Sequence, residues 1–249
     1  MKPLLILLTL LTPSLNAAGP LFQADSANHR TALLALYTSQ GCSSCPPAER
    51  WLARLGASDQ MLGKIVPIAF HVDYWDYIGW KDRYADPRYS ERQRRIARSN
   101  HQRTVYTPQF VLNGEDLRPV SRLGERLPEI VGEPSSYHIH LSARFSEDRK
   151  LLVNWKTNPP LPPAHRMVLA LTENGLIDSI TSGENAGKTL SHEFVARELT
   201  QAAHSPVTIT IGADVNPGKL ALVAFIEGES GDVLQALRLD LSENSGSGG

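Results

Sequence analysis

The hydrophobic period of this chain changes near residue 133, and that change limits the folds open to it. Beyond it, Tyr137, Ile139, Leu141, Ala143 and Phe145 alternate strictly with polar residues, as do Val207, Ile209 and Ile211. A period of two sends successive side chains to opposite faces of a strand, so both segments read as half-buried β-strands. Segments 151–157, 167–172, 220–226 and 233–239 add further strands. Asn158-Pro159-Pro160, Glu173-Asn174-Gly175 and Asn216-Pro217-Gly218 mark turns between them. Short strands with regular turn punctuation predict an all-β, immunoglobulin-like antiparallel sandwich over residues 133–241.

The preceding part mixes periods. Apolar runs at 31–37 and 65–72 read as strands, while Trp51, Leu52 and Leu55 give residues 46–55 helical spacing. A basic stretch at 89–101 reads as a second helix. Segment 109–112 then runs into Asn113-Gly114, a strong hairpin signal. Strand, helix, strand, helix and hairpin predict an α/β domain over residues 19–132, with helices covering its sheet. The two parts also differ in charge. Residues 19–132 hold 15 Lys and Arg against 12 Asp and Glu, and residues 133–249 hold 9 against 14.

The whole chain of 249 residues carries a net charge of −1, which offers nucleic acid no electrostatic attraction. Hydrophobic residues at 41% and charged residues at 20% suit a folded protein and exclude a disordered tail or a polytopic membrane protein. Residues 1–18 read as a secretory signal: Lys2, an apolar run from Leu4 to Leu11, Pro13, then Ala17 and Ala18 for cleavage. After its removal no membrane span is expected, and the destination is the periplasm or the outside of a bacterium. The Ser-Gly-rich end, 242–249, reads as a disordered tail.

Both cysteines lie in Gly41-Cys42-Ser43-Ser44-Cys45-Pro46-Pro47, between the first strand and the first helix. A helix start favours a thiolate because its N–H groups lack internal acceptors. A second thiol one turn along can close a disulfide over the first, and consecutive prolines fit a first helical turn. The pair therefore reads as redox-active, with Cys42 attacking and Cys45 resolving. Two other readings remain. A structural disulfide would close a loop of only about four residues, worth roughly 2 kcal/mol in chain entropy. A metal site could combine the pair with His71, although a four-cysteine zinc site is impossible with two cysteines.

Segments 41–49, 71–76 (His71-Val72-Asp73-Tyr74-Trp75-Asp76), 105–109 (Val105-Tyr106-Thr107-Pro108-Gln109) and 184–192 together resemble a bacterial secreted thioredoxin-like family, domain of unknown function 1223. The resemblance implies an α/β thioredoxin-like domain followed by the all-β sandwich. It also implies a cis peptide at Thr107-Pro108, with Pro108 shaping the docking surface beside the cysteines. The chain departs from true thioredoxin in its central Ser43-Ser44 and in lacking a tryptophan before Cys42.

Seven of the 17 aromatic residues fall between Phe70 and Tyr89, among them Tyr74 and Trp75. With Thr107 they are the candidate substrate-binding residues, and a packing layer is the competing reading. The basic stretch 81–103 reads as a solvated helix face or as a surface docked onto the acidic second part. His138 and His140 share a strand face but have no neighbouring carboxylate or thiol in sequence, and His192 has no assignable chemistry. The expected protein exchanges disulfides with a thiol- or disulfide-containing protein or small thiol, without cofactor or resident metal. A metal-binding or redox-inactive binding module is the alternative.

Overall fold

The structure, a computed structural model, describes residues 20–61 and 63–242. The secretory signal and all but the first residue of the expected tail lie outside the described residues. Fourteen strands and three α-helices, joined by short 3-10 turns, make up the described chain. The first part contributes β1 (Leu21–Asp25), β2 (Ala32–Thr38), α1 (Cys45–Gly56), β3 (Ile65–His71), α2 (Pro87–Ser99), β4 (Gln109–Leu112), β5 (Glu115–Asp116) and α3 (Leu123–Gly132). The second part contributes β6 (His138–Ser146), β7 (Lys150–Asn158), β8 (Arg166–Glu173), β9 (Leu176–Ser179), β10 (Thr189–His192), β11 (Val195–Ala202), β12 (Val207–Thr210), β13 (Leu220–Glu227) and β14 (Val233–Asp240).

The pairing of these strands overturns the expected fold class of a thioredoxin-like α/β domain followed by a separate immunoglobulin-like sandwich. One eight-stranded sheet runs β14-β13-β8-β11-β3-β2-β4-β5, taking four strands from each part of the chain. The join is parallel, with Val195 of β11 opposite Ala69 of β3, and the Ala69 N–H donates to the Phe194 carbonyl at 2.8 Å. A second sheet, β1-β6-β7-β12, also crosses the expected boundary, because β1 pairs antiparallel with β6 from Leu21↔Arg144 to Asp25↔His140. Among the described residues, only the β9–β10 hairpin stands as a sheet of its own. The protein is a predominantly β structure in which both parts build the same sheets.

Burial explains why. Every residue of β13 and all but the first of β8 are buried. A strand covered on both faces reads as a continuous apolar run, and it needs a layer above and a layer below. Val168, Ala170, Val223 and Phe225 face one way, into a core shared with Leu33, Tyr37, Ile68 and Phe70 and covered by Tyr89 and Ile96 of α2. Leu169, Leu171, Leu222 and Ala224 face the other way, against Ile139, Leu141, Leu151 and Val153 of the four-stranded sheet. On that same face at the other end of the large sheet, Leu34, Leu36 and Ala69 pack with Leu52 of α1 and Leu127 of α3. The long sheet is thus the middle layer, and the core on its α2 side draws on both parts of the chain.

Charge fixes the same arrangement. Arg92 of α2, buried, pairs with the fully buried Glu227 of β13, whose other oxygen takes Arg166 at 2.8 Å. Arg88 reaches Glu198 of β11 at 2.7 Å. The basic helix docks on the acidic part of the chain, one of the two readings its charge allowed. Asn113-Gly114 makes the expected tight hairpin, with φ of 49° and 91°. A Cβ on Gly114 would lie 2.4 Å from the Gly231 carbonyl oxygen, so only glycine fits.

Candidate functional site: a covered disulfide above a buried His–carboxylate cluster

At the end of β2 the chain turns through Ser39-Gln40-Gly41 and enters α1 at Cys45, with Pro46 and Pro47 filling its first positions. Cys42 and Cys45 form a disulfide with a sequence separation of 3. The Cys45 N–H donates to the Cys42 carbonyl at 3.2 Å, which folds the pair into a single turn. Ser44, the helix N-cap, does not cap with its side chain; its hydroxyl lies 3.3 Å from the Cys42 sulfur. Gly41 permits the approach of the aromatic segment, since a Cβ there would sit 3.1 Å from the Trp75 Cβ.

Cys42, read from the sequence as the attacking thiol, is only 1% exposed, and Cys45 0%. The cover comes from the loop between β9 and β10. Asn185 Nδ2, fully buried, donates to the carbonyls of Gln40 (2.8 Å) and Cys42 (3.0 Å). Glu184 accepts from the Ser43 N–H at 3.0 Å, and hydrogen bonding to the Ser43 side chain, together with that N–H, holds its carboxyl below the usual glutamate range. Ser43 and Ser44 remain exposed. Beside them opens a groove of about 450 Å³ lined by Ser43, Pro46, Pro47, Arg50, Lys188, Thr189 and Leu190. Larger cavities elsewhere touch neither cysteine.

The other expected site residues divide. Trp75 Nε1 donates to the Thr107 hydroxyl at 2.7 Å, which ties the residue beside Gly41 to the Thr107–Pro108 peptide. That peptide is cis, as are three other X–Pro bonds. Tyr74 turns instead toward Gln93, donating to Oε1 at 3.0 Å, and burial pushes its hydroxyl up to about 12. Tyr77 is the aromatic residue of this segment left open, at 84% exposure. His138 and His140 stay apart from the site, and His140 contacts Asp25 at 2.9 Å.

Beneath the disulfide lies a polar cluster that the sequence did not reveal. Glu49 follows Cys45 by four residues, the spacing that puts two side chains on one helix face. Its Oε1 accepts from the Thr38 hydroxyl at 2.5 Å, and its Oε2 contacts Nδ1 of His192. Burial opposes charge on Glu49, but the hydrogen bond and charge of His192 outweigh it and hold the carboxyl low. His192 Nε2 lies 3.2 Å from the Gln40 amide nitrogen, which donates to Asp178 at 3.0 Å. Asp178 also accepts from the Tyr84 hydroxyl at 2.6 Å and from Arg83 at 3.3 Å. At the end of β3, His71 Nδ1 contacts Asp82 Oδ2 at 2.7 Å. Burial disfavours charge on His71 as well, but the Asp82 carboxylate prevails and raises its pKa. His71 Nε2 is buried without a hydrogen-bond partner.

Glu49, His71, Asp82, Asp178 and His192 come from β3, α1, the β3–α2 connection and the β9–β10 hairpin. Their assembly depends on the long-range pairing described above. Two signals were present in the sequence: the Cys45-to-Glu49 spacing and the position of His71 directly after an apolar strand.

A model of a family described as a protein of unknown function, DUF1223, matches residues 33–227. The chain belongs to this family. The matched span contains both cysteines, Glu49, His71, Asn185 and His192, so the covered disulfide and the buried cluster both fall within the DUF1223 region. Among solved structures, an X-ray structure of a protein from Agrobacterium tumefaciens is 24% identical, with a TM-score of 0.63 over 90% of this chain and 100% of that one. HBP35 of Porphyromonas gingivalis is 12% identical, with a TM-score of 0.63 over 90% of this chain and 80% of that one. At these identities the likeness is one of fold. No curated protein matches.

Proposed function

We propose that this DUF1223 protein is a thiol–disulfide exchange protein whose working group is the Cys42–Cys45 pair. The observation that carries the reading is the disulfide between cysteines three residues apart, set at the start of α1. A bridge closing so short a loop constrains the unfolded chain little, so stability alone is a weak reason for it. A helix start lowers the cost of a thiolate, and the Ser44 hydroxyl 3.3 Å from the Cys42 sulfur can donate to one.

The exchange runs in two balanced steps. A partner thiolate attacks the Cys42 sulfur, forming a mixed disulfide and releasing Cys45 as thiolate. A second partner thiolate then attacks the partner's own sulfur, closing the partner disulfide and releasing Cys42. Two electrons pass to this protein, and each thiolate takes a proton from water. In reverse, Cys42 attacks a partner disulfide and Cys45 resolves the adduct. Trp75 and Thr107, joined by their hydrogen bond next to Gly41, together with Pro108, form the surface proposed to receive the partner chain. Tyr74 supports that surface from beneath through Gln93. An exported compartment, where disulfides persist, suits an oxidised pair.

The experiment is capture of a partner. Cys45→Ser in the reduced full chain should accumulate a mixed disulfide through Cys42 with a small disulfide such as oxidised glutathione, and Cys42→Ser should not. Failure of both variants to form any adduct, while the native reduced pair also fails to exchange, would remove the reading.

A further inference from the structure

A buried triad of ligating atoms remains outside the exchange chemistry. Glu49, His71 and His192 each present one ligand atom, and the three lie within 4.8 Å of one another. Their side chains are buried, and both histidines are fully enclosed. We propose that Glu49, His71 and His192 form a binding site for a divalent first-row transition ion, zinc in the first place.

Three features support the proposal. His71 donates through Nδ1 to the carboxylate of Asp82 at 2.7 Å and leaves Nε2 buried with no partner. A carboxylate on one ring nitrogen fixes the tautomer and turns the other nitrogen toward an ion, the arrangement found around metal-bound histidines. An orphaned ring nitrogen in a dry interior is otherwise costly. The second feature is charge. The enclosed cluster contains the carboxylates of Glu49, Asp82 and Asp178, and Arg83 is the cation paired into it, at 3.3 Å from Asp178. The two imidazoles lose their extra protons when they act as ligands, and a divalent ion replaces the positive charge that balanced these carboxylates. The third is donor type: two imidazoles and one carboxylate with room for water are a set that zinc takes. Tetrahedral zinc bonds of about 2.0–2.2 Å put two ligand atoms about 3.3–3.6 Å apart, so the widest pair of the triad closes by up to about 1.5 Å on binding and the Glu49–His192 pair opens.

On binding, the ion takes the place of the His192 Nδ1 proton directed at Glu49 Oε2. That proton leaves to solvent with any proton on His71 Nε2, while His192 keeps its proton on Nε2 beside Asp178. Thr38 stays on the other Glu49 oxygen. The site differs from a pairing of His71 with the two cysteines, because neither sulfur is required.

The full chain, with its disulfide intact so that neither sulfur can ligate, is loaded with zinc, desalted and assayed by atomic emission. It is titrated in parallel with Co²⁺. One equivalent of zinc is expected, with visible cobalt bands and no thiolate-to-cobalt absorption in the near ultraviolet. His71→Asn and His192→Asn should each weaken binding by more than about 100-fold, and Asp82→Asn by about 10–100-fold, the usual effect of losing an outer carboxylate. His138→Asn should change nothing. If a variant fails to fold, X-ray absorption of the zinc-loaded native chain counts the imidazoles directly, and two are required. Substoichiometric zinc in the oxidised protein overturns the proposal, as does a coordination shell without imidazole. Binding that appears only after reduction, with thiolate bands, would assign the ion to the cysteines and overturn it equally. Thiol exchange can fail in Cys45→Ser while zinc still binds, so the two readings fall separately.

Discussion

Asn185 donates from Nδ2 to the carbonyl oxygen of Cys42 at 3.0 Å across 143 residues of sequence. The same nitrogen holds the Gln40 carbonyl at 2.8 Å. One buried amide thus fixes both sides of the turn that precedes the disulfide, from a loop on the far part of the chain. Replacing it leaves two enclosed carbonyls without a donor. Each orphaned buried group costs about 1–3 kcal/mol, so Asn185→Ala should lower unfolding stability by at least that much. Urea unfolding of the oxidised variant measures the loss. The disulfide should also be reduced faster by a phosphine, because the cover over Cys42 is loosened.

Acid should loosen the same cover from its other contact. Glu184 accepts from the Ser43 N–H, and its carboxyl is held below its ordinary value of 4.5. A lowered carboxyl favours the contact at higher pH and loses it as pH falls through the folded value. Phosphine reduction of the disulfide should therefore accelerate as pH drops below about 4.5, and Glu184→Gln should flatten the profile. A native profile as flat as that of the variant would show that Glu184 does not guard the site.

The shared middle sheet makes a different prediction. Residues 19–132 expressed alone would lose β11 from the edge of β3, and would lose Val168, Val223 and Phe225 from the core covered by α2. That fragment should aggregate or stay unfolded rather than give a native-like domain. In the full chain, Phe225→Ala should cost about 3–5 kcal/mol, typical of an enclosed phenylalanine. Because Phe225 packs with residues of both parts, circular dichroism and tryptophan fluorescence should report one common unfolding transition. Two transitions would restore two independent units.

Local periodicity carried the sequence reading a long way. The positions of β2, α1, β3, α2, β4 and the Asn113-Gly114 turn follow from apolar spacing and turn chemistry near each residue. Strand β6 followed from alternation because its apolar face is enclosed while the other is mostly only half-buried. What failed was the choice of partner. The continuous runs at 168–171 and 220–226 signalled burial on both faces, which a two-sheet sandwich standing alone does not provide. Nothing local told β11 to lie beside β3. The site followed the same division. Cys42 and Cys45 were readable from spacing, whereas Glu49, His71 and His192 meet through a pairing between distant strands.

The final prediction concerns the two sulfurs after reduction. Ser44 places its hydroxyl 3.3 Å from the Cys42 sulfur, and its side chain makes no cap hydrogen bond in competition. A hydrogen bond to a thiolate stabilises the charged form, and about one pKa unit corresponds to about 1.4 kcal/mol. The Cys42 thiol should therefore titrate below the free value of about 8.5, and Ser44→Ala should raise it by about one unit. Cys45 begins the helix fully enclosed, with Pro46 buried beside it and Glu49 one turn along. A nearby carboxylate held in its charged form disfavours a second negative charge, so Cys45 should titrate higher. One equivalent of iodoacetamide at mildly acidic pH should then label Cys42 and leave Cys45 largely free, as read by peptide mass. Ser44→Ala should slow that labelling by up to about tenfold, the thiolate fraction lost with one unit. Equal labelling of the two thiols, unchanged in Ser44→Ala, would show that neither the helix start nor the serine selects Cys42, and would leave Cys42 no claim to the attacking role.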